Sequence, residues 1–360
     1  MKKVSMVLSV LFLAFSCKKD DNTGSVIVPD GTEPNSEWAI PVEQVRDGGV
    51  GRDGIKSIDA PLRVLATQAS FLNDDDLVLG VVYNGKPVAY PHKILDYHEI
   101  VNDKIDDFAF SISYCPLTGT GVLYDRTIDG KETTFGVSGL LYNSNLILYD
   151  RESSSLWSQM LLKSVNGVQL NANAPFYQLI ETTFGTWKNW YPGTEVFTVD
   201  LRIAPNYDQY PYGDYKTNND YLLFSVPIEL KTIPNKERVL GVKVGEQVTY
   251  YRFRTFGQLN SYVTKEFNGE ELLVFGSEKD NYMMAYFTKT TDGEKVSVRE
   301  SLLGIEEGGL FMDTSGTKWD IFGVAYEGPG KGDQLVIPTN FIGYAFAWAA
   351  FYPNDFVTFQ

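Results

Sequence analysis

The chain is 360 residues long, carries a formal net charge of −15 at neutral pH, and is 43% hydrophobic with 14% aromatic residues. This is the make-up of a folded protein long enough for two domains of ordinary size. Its negative surface repels nucleic acid and anionic headgroups, which excludes both as expected partners.

The chain opens with "MKKVSMVLSVLFLAFSCKKDDN". Lys2 and Lys3 form a basic start, Val4 to Phe15 an apolar run, and Ser16-Cys17 closes it. The run has the length of a signal-peptide core and is too short to span a bilayer. A small residue directly before a cysteine is how bacterial lipoprotein signals end. Residues 1–16 are therefore expected to be a signal peptide, and Cys17 the lipidated N-terminus. Loss of Lys2 and Lys3 with the signal takes the charge of the mature chain from −15 to −17. No other segment is apolar for long enough to cross a membrane, so the lipid is the whole expected attachment. Asp20-Asp21 behind the cysteine resembles a sorting signal of surface-exposed lipoproteins. The expected address is the bacterial cell envelope, anchored by lipid to the outer membrane and extending to the cell surface. Residues 17–38, rich in Gly, Pro, Asp and Asn, read as the lipidated cysteine and a flexible tether.

From residue 39 the reading is mostly strand. "LVLGVVY" (77–83) is β-branched and apolar, Asn84-Gly85 is a hairpin signal, and "KPVAYP" (86–91) returns as the partner. "HKILDYHEIVND" (92–103) carries Ile94, Leu95, Tyr97 and Val101 at helical spacing, which predicts a helix ending near Asn102-Asp103. "FAFSISY" (108–114) alternates as a strand into Cys115, and "GVLYDRTIDGKETTFGV" (121–137) predicts a second hairpin across Asp129-Gly130. "NLILYD" (145–150) is another strand. "TTFGTWKNWYP" (182–192) predicts a short helix stopped by Pro192.

Much of this pattern returns 161 residues later. Val78-Leu79-Gly80-Val81 matches Val239-Leu240-Gly241-Val242, Tyr90 matches Tyr251, Trp187 matches Trp348, and Tyr191-Pro192 matches Tyr352-Pro353. Trp157 and Trp319 stand 162 apart. The expected fold is α+β and β-rich: two tandem copies of one module, each of mostly antiparallel strands with two short helices. The first spans 39–200 and the second, degenerate copy 201–360. They are expected to pack face to face, because Trp157, Trp187 and Trp190 would be costly to expose.

Both histidines and the only cysteine beyond Cys17 fall within residues 89–126. His98 on the predicted helix and Cys115 at the end of a strand are the candidate pair. A thiolate with an imidazole is the donor set for copper or zinc, with Glu99 or a substrate atom completing the shell. In the second copy His98 falls against Leu259, His92 against Phe253, and Cys115 against Gly276 or Ser277. The repeated fold can therefore be built without them.

The segments "DGIKSID" (53–59), "AYPHKILDYHEIVND" (89–103), "SYCPLTGTGVLYDR" (113–126) and "LILYDRESSSLWSQ" (146–159) resemble the bacterial family known as domain of unknown function 3179. The resemblance covers most of residues 46–360 and implies no established activity. The family's typical Tyr-Cys-Pro-Leu-Cys motif is matched by Tyr114, Cys115, Pro116 and Leu117, while Thr118 stands where the second cysteine would be. This chain can therefore neither cycle a Cys-x-x-Cys disulfide nor offer two thiolates to a metal. Tyr114, Glu99, Asn102, Trp157 and Gln159, within the matching segments, are the candidate ligand-binding residues.

Three readings follow. In the first, Cys115 and His98 bind a metal or a small unknown ligand. In the second they form a nucleophile and base, with Arg126 adding positive charge and backbone N–H groups of "PLTGTG" (116–121) stabilising an oxyanion. In the third, exposed aromatics such as the Tyr-rich loop "APNYDQYPYGDY" (204–215) bind carbohydrate at the cell surface without catalysis.

Overall fold

The computed structural model describes residues 37–202, 204–228, 230–302, 309–353 and 356–358. The expected signal peptide, Cys17 and nearly all of the tether lie outside the described residues.

β1 (Leu77–Tyr83) and β2 (Lys86–Pro91) form the expected hairpin. Asn84 and Gly85 at its tip have φ of 50° and 70°, the left-handed pair that a two-residue turn between twisted strands requires. α1 (His92–His98) follows directly and stops where Glu99 turns to φ 56°. β3 (Ile100–Ile105), β4 (Phe108–Cys115) and β5 (Thr120–Asp125) form an antiparallel meander. β6 (Phe135–Tyr142), β7 (Asn145–Asp150) and β8 (Leu156–Ser158) form another. β9 (Ile180–Thr183), α2 (Phe184–Trp190) and β10 (Glu195–Thr198) complete the first half. β9 pairs antiparallel with β1, and β10 parallel with β2.

The second half begins with β11 (Arg238–Val244) and β12 (Gln247–Arg252), then the meander β13 (Ser261–Phe267), β14 (Glu270–Ser277) and β15 (Tyr282–Phe287). β16 (Gly309–Asp313), β17 (Lys318–Asp320), β18 (Thr339–Tyr344), α3 (Ala345–Phe351) and β19 (Phe356–Thr358) follow. The strand order β9-β1-β2-β10 of the first half recurs as β18-β11-β12-β19, with the same parallel and antiparallel pairings.

Details recur as well. A Cβ on Gly80 would fall 2.2 Å from the ring of Trp187, and one on Gly241 2.1 Å from Trp348. In each half a glycine in the first hairpin strand lets a helix tryptophan lie flat on the sheet. The indole N–H of Trp157 donates to Asp150 at 3.0 Å, and that of Trp319 to Asp313 at 2.9 Å.

The halves do not keep separate cores. One buried cluster joins Trp348 and Phe346 of α3 to Cys115, Tyr124 and Trp157 of the first half. Another joins Phe184, Trp187 and Trp190 of α2 to Phe275, Tyr282 and Trp319 of the second. Each half thus buries its helix in the other's sheets, which is how the aromatic surface is covered. Between Thr198 and Arg238 the chain has no helix or strand among its described residues, an uncommon length of irregular chain. It lies across the end of the first half: the Tyr97 hydroxyl donates to Gln209 O at 2.6 Å, with Asn206 O 3.1 Å away, and Ser144 Oγ donates to Phe224 O.

The architecture is β-rich and mostly antiparallel, as expected, with two departures. The helix expected to reach Asn102-Asp103 ends at His98, because Ile100–Ile105 pairs residue for residue with β4. Val101 therefore does not share a helix face with Ile94 and His98. Where α1 has its place after β2, the chain after β12 makes only a 3-10 turn, Phe253–Thr255, so the second half has one α-helix among its described residues.

Candidate functional site

The early end of α1 decides the fate of the expected Cys–His pair. His98 Nδ1 lies 2.8 Å from Lys56 O and its Nε2 2.7 Å from Tyr207 OH, so both ring nitrogens are engaged by protein. Burial lowers its pKa, against the opposing pull of the Lys56 carbonyl. Cys115 is 1% exposed in an apolar cluster, and its sulfur's hydrogen-bond acceptor is Ser144 O at 3.8 Å. Burial, reinforced by the nearby Glu99 carboxylate, pushes the thiol up to about 11. No hydrogen bond joins the two residues, and at neutral pH burial keeps the thiol protonated, the form that does not attack a carbonyl. Among the described residues, no three His, Cys, Asp or Glu side chains are grouped to hold a metal ion.

The supporting cast is equally committed. In the β4–β5 register Cys115 faces Thr120 and Phe110 faces Asp125, which puts Arg126 beyond the far end of the strand pair, roughly 17 Å away at ~3.4 Å per residue. Arg126 instead donates to Thr133 O at 2.7 Å and Asp103 O at 3.3 Å. The N–H groups of Thr118 and Gly119 both donate to Cys115 O, at 3.2 and 2.8 Å, so they form no oxyanion hole. Gly119 is required because its φ is 61° and a Cβ would meet the Tyr344 ring at 2.9 Å.

Asn102 bridges strands, exchanging two 2.8 Å bonds with the backbone of Phe135. Gln159 belongs to a buried network with Ser113, Thr120 and Asn145. Thr118, where the resemblance places a cysteine, puts its hydroxyl into that network through Thr120 and Asn145. Trp157 is a core residue. Glu99 is buried, held by the Tyr212 hydroxyl at 3.2 Å and pushed up to about 7 by desolvation.

Tyr114, together with Gly119 of the 116–121 segment and Tyr210 of the Tyr-rich loop, lines a large cavity. It occupies about 410 Å³ where α1, the starts of β1 and β11, the end of β18 and residues 210–217 converge. His92 packs its ring 4.4 Å from that of Tyr114, and its Nε2 is buried without a hydrogen-bond partner. Glu181 Oε2 stands 3.8 Å from that nitrogen, too far for a hydrogen bond. Desolvation, with Arg238 and Lys216 nearby, holds the imidazole neutral, well below its usual pKa. Asp96, one helical turn after His92, is also on the wall, and burial raises its carboxyl to about 7 even though Lys216 opposes the shift. Glu181 is buried and paired with Arg238.

Some cations around this space are committed. Arg238 holds Glu181 and Asn281, Lys93 holds Asp76 and Asp208, and the Lys236 ammonium donates to the carbonyls of Tyr215, Asn218 and Tyr221. Lys216 makes no ion pair among the described residues; its Nζ sits 4.5 Å from the centre of the Tyr210 ring. The Tyr-rich loop expected to stack on sugars from the surface is folded onto this end of the first half instead. Tyr207, Tyr210, Tyr212 and Tyr215 bond to His98, Pro116, Glu99 and Leu117 respectively.

The candidate pair rests on His98, whereas the histidine on the cavity wall is His92. The signal for the other was present: His92 and Asp96 are four apart in a helical segment, and fall against Phe253 and Gly257 across the 161-residue offset.

Fold and cavity together define a β-rich protein whose two sheets of like strand order enclose a polar cleft. Residues 52–355 match the model of the family described as protein of unknown function (DUF3179), and the chain belongs to that family. No curated protein and no solved structure matches it.

Proposed function

We propose that this is a lipid-anchored protein of the bacterial envelope that binds a small polar ligand in the cleft between its halves. The carrying observation is the 410 Å³ cavity itself, walled by His92, Asp96, Tyr114, Lys216, Arg238 and Tyr344. A cavity of this size with polar groups on its wall is filled by a ligand or by ordered water. The volume lies in the range of small-molecule sites. Lipidation at Cys17 rests on the sequence of residues 1–17. The halves, 39–200 and 201–360, are read as a duplicated module, supported by the 161-residue offset and the recurring strand order. The Cys115–His98 pair is set aside as the site because each partner is engaged elsewhere.

A neutral imidazole beside a carboxyl that titrates near 7 is also the pairing used for proton transfer, so turnover of the bound ligand is the second reading. The test is a thermal-shift screen of the mature protein against sugars, sugar acids, amino acids and small organic acids. A class that raises the melting temperature of wild type but not of His92→Ala supports the proposal, and chromatography of the same mixtures registers turnover. No stabilisation by any class sinks it. Labelled fatty acid entering wild type but not Cys17→Ala tests the anchor.

A further inference from the structure

Three polar groups on the wall of the cleft lack partners. Asp96 is 8% exposed, and Tyr114 and Tyr344 are each 6% exposed. The Asp96 carboxyl and the two phenol hydroxyls border the space, and none has a hydrogen bond to another described residue. Burial raises the phenols of Tyr114, Tyr210 and Tyr344, and the charge of Asp96 raises each of them further, which gathers all three around that carboxyl. His92 backs the Tyr114 ring at 4.4 Å, but its Nε2 is sealed in the packing and is given no ligand contact. Buried polar groups are nearly always hydrogen-bonded, so three of them around one volume call for a molecule that carries several donors and acceptors of its own.

The charges on the wall oppose one another. Arg238 is paired with Glu181 and Lys93 with Asp76, and the Lys236 ammonium is held by backbone carbonyls. That leaves Asp75 and Asp96 beside Lys216, none of them in an ion pair among the described residues. A charged ligand that gains from one sign is repelled by the other, and like charges brought together are costly. A neutral ligand can hydrogen-bond to both signs without that repulsion. Leu77 is the only wholly apolar side chain on the wall, which leaves little for a lipid tail. Tyrosine presents ring carbon and hydroxyl together, a match for the C–H and O–H faces of a sugar ring.

We infer that the cleft takes a small neutral sugar, whose hydroxyls donate to the Asp96 carboxyl and meet the hydroxyls of Tyr114 and Tyr344. This rests on the cleft being a ligand site and adds the class of ligand. Asp96 has no protein partner to lose, and Tyr344→Phe keeps the ring while removing one oxygen, so both positions can be changed with the packing preserved.

Isothermal titration of the mature protein with D-glucose, D-galactose and D-mannose tests it, each set against the uronate and the 2-amino sugar of the same ring. At least one neutral hexose is expected to bind, about ten-fold or more tighter than either of its charged counterparts. Asp96→Ala is expected to weaken that sugar by about ten-fold or more, and Tyr344→Phe by roughly three- to ten-fold. No binding of any neutral hexose, a uronate or amino sugar that binds as tightly, or an unchanged affinity in Asp96→Ala would each overturn the inference. The broad thermal-shift screen separates the failures. If another polar class stabilises wild type but not His92→Ala, the cleft remains the site and only the ligand class is wrong. If nothing does, both fail.

Discussion

The two hairpins that start the halves lead to opposite ends. In the first half β2 runs into α1, whose His92 and Asp96 face a polar cavity. In the second, β12 runs into a 3-10 turn, with Phe253 at the place of His92 and Gly257 at that of Asp96. Phe256 is buried there over Gly276, where a Cβ would lie 2.5 Å from its ring, and Gly276 stands at the place of Cys115. One half closes this corner with an aromatic packed on backbone; the other keeps it polar and open. Close packing is the stable default, and leaving one buried polar atom unsatisfied costs about 1–3 kcal/mol. Both halves carry such atoms, His92 Nε2 and Ser111 Oγ in the first and Thr249 Oγ1 and Trp348 Nε1 in the second, so what sets the first half apart is the open cavity beside α1.

The comparison breaks most severely if the halves do not carry equal structural weight. Trp187→Ala and Trp348→Ala each remove a fully buried indole lying on a glycine of the neighbouring strand. Each is expected to lose about 3–5 kcal/mol in urea unfolding. The two losses should agree within about 1 kcal/mol, given the spread such truncations show. A tryptophan whose loss is nearly neutral would show that its half is an appendage and not an equal partner in the two shared cores.

The next effect falls mainly in the first half, because Asp320 of the second is raised only to about 6. Burial raises Asp96 and Glu99 to about 7, so in the folded chain they keep protons that the unfolded chain sheds near pH 4. Their contribution to stability is whole below that lower pKa and is lost as pH rises through 7. His92, lowered well below its ordinary value, works the other way: its contribution is whole above pH 6.5 and is lost as pH falls. Two carboxyls outweigh one imidazole, so stability should fall between pH 5 and pH 8. Asp96→Asn should flatten that fall by about 3 kcal/mol, at 1.36 kcal/mol per unit. Gly257→Asn, the matching change in the second half, should leave the slope alone; its φ of 66° suits asparagine and a Cβ there meets nothing within 4 Å. An unaltered slope in Asp96→Asn would place its carboxyl in water.

Much of the frame was legible in the residues. Alternation, the Asn84-Gly85 turn and the offset of 161 point to hairpins that the structure contains, because strand period and turn chemistry are local. The end of α1 was not legible. Ile100, Val101 and Ile105 fit a helical face as well as a strand, and only pairing with β4, a tertiary matter, decides between them. With the helix ended there, His98 bonds to Tyr207, while His92 stands on the cavity wall. The cleft itself draws on residues as distant as Asp75 and Tyr344, joined by the crossing of the two halves, and no local pattern encodes such a meeting.

The smallest effect concerns Cys115, the residue whose isolation in the sequence most suggested chemistry. It is 1% exposed and does not border the cleft. Cys115→Ala removes one sulfur from an apolar cluster, and a loss of about 1 kcal/mol is expected, toward the mild end for buried truncations. Any thermal shift produced by a ligand should survive the change. With the thiol pushed up to about 11 and buried, alkylation by iodoacetamide at neutral pH should proceed only as fast as the chain opens, and should accelerate sharply in urea. Rapid labelling of the native protein would mean that the sulfur reaches solvent as thiolate. The contrast with Gly276 would then be one of reactivity instead of packing. Slow labelling with an intact ligand response would assign the thiol to the core and leave the cleft around His92 as the place where the two halves differ in purpose.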